Sequence, residues 1–194
     1  STPVVAVQRE LDLAIGDLEA ARELFAEVGY DRATIRAIAA RAGVDVALVS
    51  YYYGNKKGLF RGVMSMPVDP EEIIIAALDG PREGVGERLV RAALSVWEGP
   101  ETSEAFRALL RAAVDADEGA SKTFGEFLSS VMIPTLTKHS GITIETARVV
   151  ASTMFGLAFM RYLIGAPLFV EPSSEELVAT YGAAIQRIVD GDAG

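Results

Sequence analysis

Apolar residues recur every three or four positions along most of the chain, which is the spacing of one face of an α-helix. In the first such segment, Leu18, Ala21, Phe25 and Val28 share a face, and Gly29 follows where a helix would end. No stretch alternates apolar and polar residues as a half-buried strand does. The pattern therefore predicts an all-α protein of about ten helices.

Two short predicted helices follow, separated by a turn that contains glycine. Thr34 is suited to cap the first of them, Asp45 is suited to cap the second, and Gly43 lies in the turn. Helix, glycine-containing turn and helix form a helix-turn-helix arrangement over about residues 34–53. In that arrangement the second helix enters the DNA major groove while the first crosses the backbone.

The prolines that come next indicate a domain boundary. A further helix is predicted over about residues 56–66, and Pro67 and Pro70 then break the pattern. We expect an N-terminal DNA-binding domain at residues 1–66 and a larger helical bundle at residues 67–194. A helix should begin at Pro70, because proline is favoured at the first helical position. Further helices are predicted at about residues 84–98, 103–117, 121–138, 143–165 and 173–190.

Composition limits the chemistry available to the chain. The 194 residues are 50% hydrophobic, and they include no cysteine and one histidine, His139. Thiolate metal sites and disulfides are therefore excluded, and neither a metal cluster nor a serine–histidine nucleophile is indicated. No uninterrupted apolar run reaches the roughly 18 residues of a membrane span, and the first residues lack the pattern of a signal peptide. We expect a soluble, cytoplasmic protein that is not an enzyme, has no cofactor and has no contact with membranes.

Positive charge is concentrated in one segment of an otherwise acidic chain. The formal net charge is -9, whereas residues 32–61 contain six basic residues and one acidic residue. Such a cluster can be a solvated helix surface, but here it coincides with the predicted helix-turn-helix. Basic side chains would neutralise DNA phosphates there, while the acidic remainder would repel DNA. The charge pattern predicts that only one face of the protein docks on DNA.

The segment at residues 20–63 resembles the DNA-binding domain of the TetR family of transcriptional regulators. It reads AARELFAEVGYDRATIRAIAARAGVDVALVSYYYGNKKGLFRGV. The shared elements are the LFAEVGY helix end, Thr34, the IAARAGV turn, the tyrosine cluster and the K-x-x-L-F start of the fourth helix. The resemblance implies a homodimer that binds double-stranded operator DNA, with a divergent helical domain that carries the dimer interface and an effector pocket.

Nine residues of this segment are the candidates for DNA contact. Tyr51 is expected at a phosphate, and Lys56 matches the phosphate-binding position of the family. Three successive helical residues cannot face one way, so Tyr53 is expected in the core while the position of Tyr52 stays open. The full set is Thr34, Arg36, Asp45, Val46, Ala47, Ser50, Tyr51, Tyr52 and Lys56.

The start of the predicted recognition helix carries no basic or amide side chain. Residues 45–48 read DVAL, whereas direct readout of bases usually uses Arg, Lys, Asn or Gln. Arg36, in the preceding helix, is therefore the best candidate for a guanine contact. Val46 and Ala47 can contact thymine methyl groups, and Asp45 is either a helix cap or a base reader.

The second domain offers candidates for an effector pocket and a dimer interface. Its aromatic and methionine residues have helical spacing, which suits a core, but some of them can line a largely apolar cavity. The candidates are Trp97, Phe106, Phe124, Phe127, Met132, Phe155 and Phe159. Arg161, in an otherwise apolar helix, is expected in a buried ion pair or at the dimer seam. The last two long helices are expected to join the homodimer.

Taken together, the residues indicate a ligand-responsive DNA-binding regulator, most simply a repressor that binds a pseudo-palindromic operator as a homodimer. The alternative is a helical interaction or small-molecule-binding protein that no longer binds DNA. Such a protein would have no reason to retain the basic segment at residues 32–61.

Overall fold

The computed structural model describes residues 16–25, 27–30, 32–64, 68–114 and 118–192, and within these ranges it contains helices and no strand. The all-α prediction is confirmed. Residues 16–25 and 27–28 form α1. The other helices are α2 (Ile35–Ala42), α3 (Val46–Tyr53), α4 (Lys56–Val63), α5 (Pro70–Leu78), α6 (Val85–Glu98), α7 (Ser103–Val114), α8 (Glu118–Phe127), α9 (Ile133–Ser140), α10 (Ile144–Ala158), α11 (Pro167–Val170) and α12 (Ser174–Gly191).

Local capping chemistry sets several of these boundaries. Helix α5 begins at Pro70, and the Asp69 carboxylate accepts a hydrogen bond from a backbone N–H of its first turn. At the start of α12, Ser173 and Glu176 form a reciprocal capping box. These short polar side chains satisfy N–H groups that have no partner inside the helix.

Two long helical segments contain a π-helical stretch that the periodicity did not reveal. Residues Leu128–Met132 connect α8 to α9, and residues Phe159–Ile164 extend α10. A π turn adds only one residue to the helical repeat, so the apolar pattern on either side still resembles one helix. The short helix α11 was also not predicted.

The described helices belong to two compact units. The first unit comprises the described residues within 1–66 and 112–126, and the second comprises those within 67–111 and 127–194. The domains expected from the sequence therefore differ from these units by residues 112–126. This segment comes from the middle of the chain, yet it packs with the N-terminal helices.

Helices α6 and α12 cross at two glycines in the second unit. A Cβ atom on Gly86 would lie 2.1 Å from the carbonyl oxygen of Gly182, and one on Gly182 would lie 2.9 Å from the Cα of Glu87. Gln186 bridges the same crossing, because its Oε1 accepts the Gly86 N–H at 3.1 Å and its Nε2 donates to the Arg82 carbonyl at 3.0 Å. The two backbones are thus in direct contact.

An ion pair holds the π-helical stretch of α10 in place. Arg161, whose side chain is 12% exposed, lies 3.1 Å from Oε1 of Glu98. Glu98 also accepts hydrogen bonds from Tyr162 and Ser174, both at 2.7 Å. Burial raises the pKa of the Glu98 carboxyl, but these hydrogen bonds outweigh burial and bring the pKa below its usual value. The ion pair expected for Arg161 is present.

The second unit also contains one segment with the length and hydropathy of a membrane span. Residues Ile144–Ile164 have a most apolar window of mean hydropathy 1.3, and 33% of that window is buried within the protein. Uninterrupted apolar runs alone do not identify this segment, because Arg148 and Arg161 interrupt its apolar residues. Its Val150, Met154 and Leu157 belong to the core, as in a core helix of a folded protein.

We predict that Gly182→Ala lowers the free energy of unfolding by about 1–3 kcal/mol, because the added methyl group forces the α6 and α12 backbones apart. The control is Gly191→Ala on the same helix, where an added Cβ meets nothing within 4 Å. Chemical denaturation followed by circular dichroism measures both. Equal stability of the two variants would show that the glycine contact does not fix the crossing.

Candidate nucleic-acid interface

The helix-turn-helix predicted at residues 34–53 is present, and local hydrogen bonds define its two helices. Oγ1 of Thr34 accepts the N–H of Ala37 at 3.1 Å and caps α2. Gly43 ends α2 with a φ of 71°, a left-handed conformation that glycine adopts without strain. Oδ1 of Asp45 then accepts the N–H of Ala47 at 2.7 Å and caps α3. The capping roles predicted for Thr34 and Asp45 are confirmed.

A small apolar core fixes the crossing of α2 and α3. Ile38, Ala39 and Val49 are completely buried. Ala39 and Gly43 are small, which suits two helices that approach each other closely. Because these buried side chains pack α2 against α3, they also position the outward residues of both helices.

Most of the nine predicted contact residues are on the surface. Six of them are exposed: Thr34, Arg36, Asp45, Val46, Ala47 and Tyr51. The other three, Ser50, Tyr52 and Lys56, are half-buried. On α3, Val46, Ala47, Ser50 and Tyr51 have the spacing of one helical face, opposite the buried Val49. This face is the surface that α3 offers to a partner.

The three consecutive tyrosines have different environments. Tyr51 is 82% exposed, and its ring meets the half-buried ring of Tyr52 edge-on at 5.3 Å between centroids. Tyr53 is half-buried, with its ring 3.2 Å from where a Cβ on Gly62 would lie. Burial raises the pKa of the Tyr53 hydroxyl, and the nearby Asp17 and Tyr52 raise it further. Tyr53 thus packs between helices, although less completely than a core residue.

Asp17 is a buried acid within this unit. Its side chain is fully buried, and neither carboxylate oxygen has a hydrogen-bond partner among the described residues. Burial raises the pKa of this carboxyl, because a buried group with no compensating partner disfavours the charged form.

Lys56 has an internal role that the sequence did not indicate. Its Nζ donates to the carbonyl oxygens of Tyr30 and Ala33 at 2.8 and 3.2 Å. The ammonium group also lies 4.4 Å from the centroid of the Tyr30 ring, within range of a cation–π interaction. Lys56 therefore binds the loop between α1 and α2, and the phosphate contact expected of it stays a prediction.

The basic side chains of residues 32–61 differ in their surroundings. Arg41 forms an ion pair with Glu27 at 2.6 Å, so its charge is partly compensated. Nε of Arg32 donates to the Val28 carbonyl at 2.8 Å, at the end of α1. Arg36 is exposed on α2, and no bond to another described residue holds its guanidinium. Its side chain can therefore reach for a base or a phosphate.

The candidate effector residues do not all belong to one unit. Phe124 lies in the first unit, and the other six lie in the second. Trp97 stacks on Phe106 at 5.4 Å, and Tyr162 meets both rings edge-on at 6.0 and 6.1 Å. Met132 and Phe155 pack against this core, while Phe127 is buried and Phe159 is half-buried.

A separate groove of about 300 Å³ lies between α6 and α12. None of the seven candidate effector residues lines it. Its walls are formed by Arg91, Leu94, Ser95, Glu98, Gly99, Ser174, Glu175 and Val178. The groove is open to solvent, and Arg91 and Glu175 form an exposed ion pair across it.

The part of the chain that the structure describes holds no cluster of three or more His, Asp or Glu side chains that could bind a metal ion. His139 is exposed in the last turn of α9. Basic residues are common at this end of a helix, which carries the negative end of the helix dipole.

We predict that Lys56→Ala lowers the free energy of unfolding by about 1–3 kcal/mol. The reason is that the carbonyl groups of Tyr30 and Ala33 lose a charged hydrogen-bond donor. Lys138→Ala removes the same charge from an exposed position of α9 and should change stability by no more than about 0.5 kcal/mol. Thermal and chemical denaturation measure both. If the two variants are equally stable, the contacts of Lys56 with the loop do not contribute to folding.

Comparisons with known proteins agree with this architecture. The sequence model for the bacterial regulatory proteins of the tetR family matches residues 18–63. The model for the tetracyclin repressor-like C-terminal domain matches residues 83–189, which is more than half of the chain.

Individual relatives give the same result. A TetR-family regulator of Streptomyces coelicolor A3 is 33% identical, with 92% of this chain and 94% of that chain covered and a TM-score of 0.51. A second solved structure is NalD of Pseudomonas aeruginosa, the secondary repressor of the MexAB-OprM multidrug efflux pump. It is 19% identical, with 93% of this chain and 96% of that chain covered and a TM-score of 0.50. At this identity the likeness shows the fold alone. The HTH-type transcriptional regulator BetI 1 of Chromohalobacter salexigens is 31% identical over 98 residues, 41% of this chain.

The match to the BetI 1 regulator spans about half the length of that relative, 48%. The two family models, by contrast, cover both the helix-turn-helix and most of the second unit. With the helix-turn-helix geometry described above, they confirm the resemblance seen in residues 20–63. The chain belongs to the TetR family of bacterial transcriptional regulators.

Proposed function

We propose that this protein is a ligand-responsive transcriptional repressor that binds a pseudo-palindromic operator as a homodimer in the cytoplasm. The observation that carries the proposal is the exposed face of α3, held by a small buried core within the basic segment of an acidic chain. BetI 1 is named as a transcriptional regulator, which supports the same class of function.

The exposed side chains divide into those that position the protein and those that read sequence. Tyr51 reaches 82% exposure and can donate its hydroxyl to a phosphate oxygen, which fixes register without reading bases. Val46 and Ala47 can contact thymine methyl groups, and Arg36 can pair with a guanine edge. Because α3 carries no basic or amide side chain, part of the specificity would come from DNA shape.

The homodimer would use α10 and α12, although many of their apolar residues are not available to a partner. Val150, Met154, Leu157, Leu177 and Ile185 are buried in the core of their own chain. Ile144 and Val149 are each 47% exposed on α10 and are therefore the apolar residues that a second copy could cover. A two-fold dimer would place two reading helices on the two half-sites of an operator.

The effector would be a largely apolar small molecule bound near the stacked rings of Trp97 and Phe106. These rings form a packed cluster, which a ligand would have to open. The hydroxyl of Tyr162, bonded to Glu98, lies at the edge of the cluster and can serve as the polar group that orients such a ligand. Non-DNA-binding roles are less well supported, because they leave the basic segment without a purpose.

We predict that Arg36→Ala weakens binding to the operator by about 1–3 kcal/mol and relaxes preference at one base pair per half-site. The reason is that a guanine contact carries sequence information, whereas a phosphate contact does not. Mobility shifts with DNA flanking the protein's own gene, and with a scrambled duplex, measure the effect. Arg22→Ala, an exposed arginine of α1, is the control for lost charge. Equal losses on both duplexes would make Arg36 a phosphate contact only.

For the dimer, we predict that Val149→Asp shifts the protein towards monomer in light scattering at micromolar concentration, because it places a charge in an apolar interface. Val114→Asp changes a valine that is 55% exposed on another helix and should leave the mass unchanged. A wild-type protein that is already monomeric would contradict the proposed dimer.

A further inference from the structure

Glu126, near the end of α8, contacts the loop that precedes the helix-turn-helix. Its Oε2 accepts a hydrogen bond from the backbone N–H of Tyr30 at 2.9 Å, although 96 positions separate the two residues. A Cβ atom on Gly29 would lie 3.1 and 3.2 Å from the two carboxylate oxygens. The carboxylate therefore lies directly against this loop, and both belong to the first compact unit.

The backbone of Tyr30 is held at both its N–H and its carbonyl group. While Glu126 accepts the N–H of Tyr30, Nζ of Lys56 donates to the Tyr30 carbonyl at 2.8 Å and to the Ala33 carbonyl at 3.2 Å. Ala33 is buried and directly precedes Thr34, the residue that caps α2. The position of this loop therefore sets where α2 begins.

We propose that Glu126 is a positioning residue for DNA binding. Its carboxylate, supplied by a segment from the middle of the chain, fixes the loop between α1 and α2 and thereby orients α2 and its Arg36 towards DNA. By its charge alone, an acidic side chain in a DNA-docking unit opposes phosphate binding. A favourable effect of Glu126 on affinity must therefore act through the loop. This inference rests on the DNA-binding function proposed above.

The decisive comparison is between Glu126→Ala and Glu126→Gln in the full chain. Both variants remove one negative charge, but glutamine keeps a carbonyl oxygen that can accept the Tyr30 N–H, and alanine does not. Lys122→Ala, which changes an exposed side chain on the same helix, controls for perturbation of α8. Two quantities are measured for each protein: amide hydrogen exchange at residues 29–34, and affinity for a labelled mixed-sequence DNA duplex by fluorescence anisotropy.

For Glu126→Ala, we expect the Tyr30 amide to exchange roughly tenfold faster, because it loses a hydrogen bond to a charged acceptor. Duplex affinity should fall about three- to tenfold, since apparent affinity decreases with the fraction of molecules whose docking surface is formed. Glu126→Gln should retain the slow exchange and bind at least as tightly as the wild type. Lys122→Ala should retain the wild-type exchange rates.

Several results would overturn the proposal. If Glu126→Ala binds the duplex as tightly as Glu126→Gln, the loop contact does not affect docking. Equal losses of affinity in both variants would show that the hydrogen bond to Tyr30, which glutamine can keep, is not what supports docking. If the wild type does not bind the duplex while alanine still accelerates exchange at Tyr30, the contact is real, but the DNA-binding function fails and the positioning role fails with it.

Discussion

The arrangement of the N-terminal helices depends on the contacts that the ammonium group of Lys56 makes. It bonds to the carbonyl oxygens of Tyr30 and Ala33 and lies over the Tyr30 ring. That ring packs against Phe25 of α1 and Phe60 of α4, with centroid distances of 5.6 and 5.0 Å. One side chain at the start of α4 thus ties α1, the following loop and α4 together. Helix α2 begins where that loop ends, so the position of the helix-turn-helix depends on these contacts of Lys56.

The distribution of charge along the chain concerns the same DNA-binding surface. The second unit and α1 are rich in acidic residues, whereas residues 32–61 are basic, and this distribution would restrict docking on DNA to one surface. Within that surface, α3 presents Val46 and Tyr51 rather than a row of cationic side chains. Affinity would then come mainly from phosphate contacts around α3, and specificity from Arg36, from methyl contacts and from the ease with which a given sequence bends.

The features that the sequence predicted correctly depend on residues close together in the chain. The caps at Thr34 and Asp45 are examples, since each side chain bonds to a backbone N–H two or three positions away. The family-specific motifs at residues 20–63 likewise form one continuous stretch. For this reason the all-α fold and the helix-turn-helix could be predicted with their boundaries nearly correct.

The features that were missed depend on tertiary structure. The contact between Glu126 and Tyr30 joins residues 96 positions apart, and no local pattern marks it. The bonds of Lys56 to loop carbonyls depend on a loop conformation that composition does not specify. Apolar periodicity also cannot distinguish an aromatic side chain that packs in a core, such as Trp97, from one that lines a cavity.

We propose that this chain reads DNA sequence as a two-fold dimer. The decisive experiment is selection of bound duplexes from a random-sequence library by the purified full chain, followed by sequencing. We expect enrichment of two inverted half-sites whose centres are separated by about one helical turn, roughly 34–36 Å, or a multiple of it. A bound pool with no sequence enrichment over the starting library, or with a single asymmetric site, would contradict it.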